Sequence, residues 1–362
     1  MKVHVSKNQL ADVLGHVERI VPARSSNPGL SLVRIKLEEQ LLVFSGSNMD
    51  IDIEAQLPAD VTGNGEIAVP AGVLGQVVRA LPGDDVELSI EEQEMGLSSG
   101  TYSTRLQLVD PDQAPALDFE DSYDGLLPAP ALHRILSNVR YATATADYQA
   151  IFRGVKLELS DSRTRAIASD GFRLAYDQVE ESSGLDAQVV VPARSVDEMI
   201  RVLGEGEAQL SANASQLSLK SSGIRMNLKL MEGTFPDYER IIPHEFPVAV
   251  SVNARELSQA VSRVSLMADR TTNNRVDLFV HEGTVQITAE GSFGRSQEAV
   301  TVQQEGSEHE IAVAFNAKYL TDALSPLGGR ARISLSRDSA PTVMVDPDAP
   351  GYLAMVVPLR TT

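Results

Sequence analysis

The chain has 362 residues, a net charge of −19 and no cysteine. It can hold two or three domains with cores of their own, and it excludes disulfides, thiol catalysis and thiolate metal sites. The opening Met1-Lys2-Val3-His4-Val5 alternates like a strand and lacks the apolar core of a signal peptide. No run approaches the length of a membrane span, so a cytoplasmic protein with no membrane partner is expected.

Leu10, Val13, Leu14 and Val17 recur at helical spacing and predict an amphipathic helix over about 7–21. Residues 41–44 and 51–54 alternate as strands between Gly- and Asn-rich turns. Val69-Pro70 closes a β-branched run in a proline suited to the first turn of a helix, and Leu74, Val77, Val78 and Leu81 then share a face. Residues 86–90 and 103–108 are further strands, and 109–115 with the acidic 118–124 make a linker.

The same plan returns over 125–247. Leu132, Ile135, Leu136 and Val139 predict one helix; Pro192 followed by Val196, Met199, Ile200 and Leu203 predicts another. Ser169-Asp170 repeats the turn at Ser47-Asn48, whereas Gly171-Phe172-Arg173 is particular to this copy. The proline- and aromatic-rich 234–243 reads as an ordered strap rather than a loose tether. In 248–362 the helices recur at Leu257, Ala260, Val261 and Val264 and at Leu320, Ala323, Leu324 and Leu327. The apolar 352–359 then runs almost to the terminus, so it must be tied down or used.

Six evenly spaced helices in two interleaved patterns predict three tandem similar domains, 1–124, 125–247 and 248–362. Many strands with two helices per copy favour an α+β fold, with two helices packed on antiparallel sheets in each domain. The helical windows sum to a small positive charge on an otherwise acidic chain, which suits a partner that touches only the helices. If two chains close head to tail, twelve helices at spacings of about 8–10 Å enclose a hole of about 26 Å. Duplex DNA, about 20 Å across, passes through it.

No catalytic chemistry or cofactor is expected. Gly96-Leu97-Ser98-Ser99-Gly100 matches the nucleophile elbow of serine hydrolases, but that elbow needs a following helix, and 101–108 alternates as a strand. The six histidines lack metal-ligand spacing, and no phosphate-binding loop of the G-x-x-x-x-G-K-[ST] type occurs. A hydrolase using Ser98 and a scaffold that binds only proteins stand as the competing readings.

The Met1-Lys2 start with the Arg24 loop, the three V-P-A-like helix starts, 169–174, Phe235-Pro236-Asp237-Tyr238 and the terminal 356–360 together resemble the bacterial sliding clamp, the β subunit of the replicative DNA polymerase. The resemblance implies a ring-forming homodimer that encircles double-stranded DNA without reading its sequence. It serves as a processivity factor with no catalysis of its own. Implied partners are a second copy, the clamp loader, and replicative and repair polymerases and other proteins carrying a clamp-binding motif, at the nucleoid during replication. A groove for a short apolar peptide is implied at Phe152, Ser169, Gly171, Phe172, Arg173, Leu174, Pro236, Ile241, Met355, Val356, Val357, Pro358 and Leu359. DNA contacts are implied at Arg24, Arg79, Arg140, Arg194, Arg201 and Arg263, and the homodimer contact at Leu106 and Leu108 on one side and Leu266 and Met267 on the other. Two departures bear on the groove: Phe172 stands where relatives often have histidine, and Thr361-Thr362 extends past Arg360.

Overall fold

The computed structural model describes residues 2–146, 150–336 and 340–360; Met1 and the Thr361-Thr362 extension lie outside them. Six helices each start directly from the end of a strand: α1 (Lys7–Ile20), α2 (Ala71–Ala80), α3 (Ala129–Val139), α4 (Ala193–Val202), α5 (Ala254–Val264) and α6 (Ala317–Leu324). The expected proline of the first turn sits one step earlier, as the last strand residue at Pro70, Pro128 and Pro192. All three strands are at sheet edges, where a missing N–H costs no ladder bond. Asn253 and Asn316 start α5 and α6 instead, their side chains accepting from Glu256 N and from Lys318 N and Tyr319 N. Such a cap contributes about 1 kcal/mol.

The apolar faces are buried as the spacing predicts, with exceptions at Val13, Val77 and Ile200, which are half-buried. Leu10, Leu14, Val17 and Ile20 of α1 are buried throughout, each contributing about 1.5–3 kcal/mol.

All ladders among the described residues are antiparallel, and they fall into quartets. One kind of quartet ends in the strands Ile51–Pro58, Arg173–Val179 and Gly294–Thr301 of the successive repeats. The other ends in Tyr102–Gln107, Ile224–Lys229 and Leu353–Val356. Ile51–Pro58 pairs with Ile224–Lys229, and Arg173–Val179 pairs with Leu353–Val356, which fuses quartets of neighbouring repeats into two sheets; the first has eight strands, and the second gains a ninth, Gln303–Gly306, on the edge of Val248–Asn253. The remaining two quartets stay four-stranded, ending in Tyr102–Gln107 and Gly294–Thr301.

The chain accordingly separates into two compact units, Met1–Leu132 with Asp197–Leu230, and His133–Val196 with Met231–Thr362. These cross the repeat boundaries because ladder bonds join neighbouring repeats. In the first unit the linker is tied down: Val109 bridges to Ala68, and Asn227 Nδ2 donates to Asp118 O at 2.7 Å. In the second unit Phe235 and Tyr238 of the strap are buried.

Ser98 lies in a hairpin strand opposite Ser103, with no helix after it. The copies of this hairpin are aligned by their ladders, Ser99 opposite Tyr102 and Ser221 opposite Ile224. Glycine therefore takes the first central turn position in one copy, Gly100, and the second in the other, Gly223 after Ser222 at φ 51. Two-residue hairpin turns admit glycine at either place, so the matching Ser-Ser-Gly triplets are offset by one residue in space.

Candidate functional site

The hairpin between Thr164–Ser169 and Arg173–Val179 carries the most distinctive motif of the chain. Gly171 adopts φ 86 in its turn, a conformation that favours glycine. Asp170 Oδ1 accepts from Phe172 N and Arg173 N at 2.9 and 3.0 Å, and Ser169 Oγ donates to Arg173 O at 2.9 Å while accepting from Gly171 N at 3.1 Å. The turn is held by its own side chains, which leaves the Phe172 ring 55% exposed at the tip.

The terminal strand Leu353–Val356 runs along this hairpin, placing Leu174 opposite Met355 and Arg173 opposite Val356. Val357 N donates to Phe172 O at 2.8 Å, and Leu359 N to Ala314 O at 2.7 Å, so the apolar end is tied down on both sides. Phe152, Leu174 and Met355 belong to one buried cluster with Ala144, Ile167, Val190, Phe235, Tyr238 and Val343. Phe152 meets Phe235 edge to face, centroids 5.5 Å apart. Phe172, Pro236 and Ile241 are exposed and Val357 and Leu359 half-buried, which gives an apolar floor an accessible apolar rim. Such a surface suits the hydrophobic anchors of a short peptide.

Seven of the expected residues are buried. Phe152, Leu174 and Met355 belong to the floor cluster, and Ser169 is held within the turn. Val356 is wholly buried in the ladder, Pro358 is buried, and Arg173 turns inward at 8% exposure because its guanidinium finds two carboxylates and two aromatic rings there. Conversely, Phe235 and Tyr238 belong to the floor cluster; both fall in the strap motif, where spacing carries no sign of their partners. Val343 belongs to a four-residue strand too short for a periodic signal.

Beneath the strap, Arg165 is buried over the Tyr176 ring at 4.7 Å, and its Nη1 donates to Tyr238 Oη at 2.6 Å and to Glu239 Oε1 at 2.9 Å. Tyr238 Oη in turn donates to Glu158 Oε2 at 3.1 Å. Burial pushes the Tyr238 phenol up to about 12, the Arg165 hydrogen bond opposing it. This network anchors the strap over the cluster.

The six arginines differ in availability. Arg79 pairs with Glu18 at 2.6 Å, Arg201 with Glu198 at 2.9 Å, and Arg263 Nε with Glu298 at 2.9 Å. Arg140 is half-buried, donating to Ala193 O and Thr143 Oγ1. Arg24 and Arg194 are exposed, and neither has an ion pair among the described residues.

At the free edges, Leu106 and Leu108 are half-buried and Leu266 is 79% exposed. Met267 packs on the hairpin preceding Gly294–Thr301, where a Cβ on Gly291 would meet Met267 O. The tip of that hairpin carries Phe293, 95% exposed, a residue that sequence spacing did not single out. Among the described residues no three His, Asp or Glu side chains converge as a metal would require, and no helix is long and apolar enough to cross a membrane.

Three family models match in succession: the DNA polymerase III beta subunit N-terminal domain over residues 1–118, its central domain over 126–237 and its C-terminal domain over 239–360. The beta sliding clamp of Caulobacter vibrioides is 30% identical over 377 residues, covering 99% of this chain and 100% of the relative. That of Bacillus subtilis is 26% identical, with both chains covered throughout. Among solved structures, the Pseudomonas aeruginosa sliding clamp bound to griselimycin superposes with a TM-score of 0.93 at 25% identity, and the Bacillus subtilis clamp with 0.93 at 26%; each match covers 100% of both chains.

Proposed function

The chain belongs to the bacterial sliding-clamp family, the non-catalytic DNA polymerase III β subunits, and we propose that this DNA polymerase processivity factor closes head to tail with a second copy around duplex DNA. The free edges carry this reading. Within the chain, each junction joins the last strand of one kind of quartet to the last strand of the other. What remains is one edge of each kind, Gly294–Thr301 and Tyr102–Gln107. An unpaired edge is a template for another strand, and a second copy would cover both with the same ladder. Leu266, Met267 and Phe293 would then pack against Leu106 and Leu108 beside it.

The existing junctions set the register. Ile53 faces Met226 and Ala175 faces Ala354 at matching rungs, which puts Ser296 opposite Thr104 of a second copy. With no native cysteine, the chain carrying both Ser296→Cys and Thr104→Cys reports this directly, since strand neighbours lie within disulfide reach. Non-reducing electrophoresis is expected to show a covalent dimer closed by two bridges. A ladder of longer oligomers, or monomer only, overturns the closed ring.

Among the described residues three of the six candidate arginines already hold a carboxylate and Arg140 is half-buried, so contact with phosphate rests mainly on Arg24 and Arg194. Retention on DNA then comes from ring closure, and contact with backbone charge alone leaves the ring free to slide. The groove around Phe172 and Ile241 takes an apolar peptide segment of the clamp loader, of replicative and repair polymerases and of other clamp-binding partners. Griselimycin, bound by the Pseudomonas aeruginosa relative, would occupy the same groove.

The domain limits 1–124, 125–247 and 248–362 are proposed as the repeat units. The two compact units arise when ladders join those repeats.

A further inference from the structure

The tip of the groove hairpin has little packing of its own, since Phe172 is half in solvent and Gly171 offers no side chain. Its geometry is set by Asp170, whose Oδ1 holds the amides of Phe172 and Arg173. Asp170 is oriented in turn by Arg173, Nε donating to its Oδ2 at 2.9 Å. Arg173 continues inward: its Nη1 donates to Asp322 Oδ2 on α6 at 2.7 Å, and its guanidinium lies 4.3 Å from the Tyr319 ring centroid and 5.3 Å from that of Tyr141. Tyr141 and Tyr352 are joined by a 2.9 Å hydrogen bond between their hydroxyls, and Tyr352 Oη donates to Ala323 O. The cage around the guanidinium is thus fastened to α6 at Tyr319, Asp322 and Ala323. Lys318 Nζ, on the exposed side of the helix, donates to both oxygens of Asp322 at 3.0 and 2.9 Å.

From this chain of charge-assisted bonds we infer that Asp322 is a positioning residue for the partner groove, acting through Arg173 and Asp170 on the Phe172 turn. One guanidinium is shared by two carboxylates, and a planar five-donor fork reaches them through separate nitrogens, Nε and Nη1, where an ammonium offers a single point of charge. Without the Asp322 charge, Arg173 swings toward Asp170 and loses the anchor that keeps Asp170 Oδ1 under the turn amides. The helix therefore sets the height of the Phe172 rim through the guanidinium that it holds. This rests on the reading of the groove given above.

Calorimetric titration with griselimycin, together with the amide resonances of Phe172 and Arg173, tests it. Asp322→Asn, nearly isosteric but uncharged, is expected to weaken binding about tenfold and to move both amide protons upfield as their hydrogen bonds lengthen. Asp322→Glu, which keeps the charge on a longer arm, should return to within about threefold of the parent. Arg173→Lys should cost about as much as Asp322→Asn, and the double variant no more than either alone, because both cut one chain. Lys318→Gln, at the solvent end, should stay within about twofold of the parent. Unchanged affinity and unmoved resonances in Asp322→Asn overturn the inference, as does a tenfold loss in Lys318→Gln, which would implicate the helix surface instead. Failure of the parent protein to bind griselimycin would count against the groove reading alone, since the amide resonances decide the role of Asp322 in either case.

Discussion

The two internal junctions share a backbone and differ in what their side chains do. Counting from the hairpin tips, Asp52–Asn227 and Glu54–Arg225 in the first unit occupy the rungs held by Leu174–Met355 and Tyr176–Leu353 in the second. In the first unit Arg225 Nε donates to Glu54 Oε1 at 2.8 Å, its guanidinium lies 5.2 Å from the Phe119 ring centroid, and Asn227 holds Asp118 O. The acidic linker is thereby locked along its junction. In the second unit the same rungs are apolar, the strap is held beneath by Arg165, and Phe172 and Ile241 remain accessible. One ladder geometry thus yields a sealed seam where the rungs are charged and an accessible apolar surface, the groove proposed above, where they are not. A buried ion pair is directional and binds one preset partner, whereas an apolar floor accepts any segment with suitable anchors.

The contrast can be broken most severely by moving the charged rung. Tyr176→Glu with Leu353→Arg should reproduce the Glu54–Arg225 pair in the second unit and lower the griselimycin affinity proposed for the groove by at least about a hundredfold, since the floor would carry charge that a ligand must desolvate. Calorimetry measures the loss, and the cysteine cross-link shows whether the proposed ring still closes, as it should.

A smaller effect is expected at the sealed seam. Arg225→Ala strands the buried Glu54 carboxylate and uncovers Phe119, costing about 2 kcal/mol, below the value for a fully buried pair because Arg225 keeps part of its surface in water. Hydrogen exchange should rise over 118–123 while griselimycin binding is unchanged; equal exchange would show that the seam does not depend on this pair.

The mildest change tests the strap. Tyr238→Phe removes a hydroxyl between Arg165 and Glu158 and should cost about 1–2 kcal/mol near neutral pH. It also sharpens an alkaline signature. The folded phenol titrates at about 12, above its unfolded value near 10, so the folded state holds its proton longer. The stability this supplies is complete below the unfolded value and is lost as pH rises from there through about 12. Thermal melting from pH 9 to 12 should therefore fall less steeply in Tyr238→Phe, with Tyr123, Tyr141 and Tyr352, also raised by burial, contributing to the remaining slope.

Much of this was open to reading residue by residue. Leu174 and Met355 look apolar in alternating runs, and Leu257 or Leu320 falls on a helical face, because side-chain period follows from backbone geometry within a few residues. Arg263 gave no such sign: Glu298, which neutralises it, lies on a strand far along the chain. Arg173 falls in the groove motif by sequence, and its guanidinium reaches α6, a contact that depends on the fold bringing Asp322 within reach. Phe293 carries no signal in the sequence, because one exposed aromatic has no period.

The amino-acid order by itself determined the threefold repeat, the six helices, the hairpins and the absence of thiol chemistry, all of which are local or self-similar patterns. Only the tertiary structure decided which edges pair, which two stay open, which arginines are already neutralised and which junction is sealed. Those outcomes turn on contacts between residues far apart in the chain, where the relevant energy is that of burying a matched or an unmatched side chain, and no spacing rule along the polypeptide encodes the match.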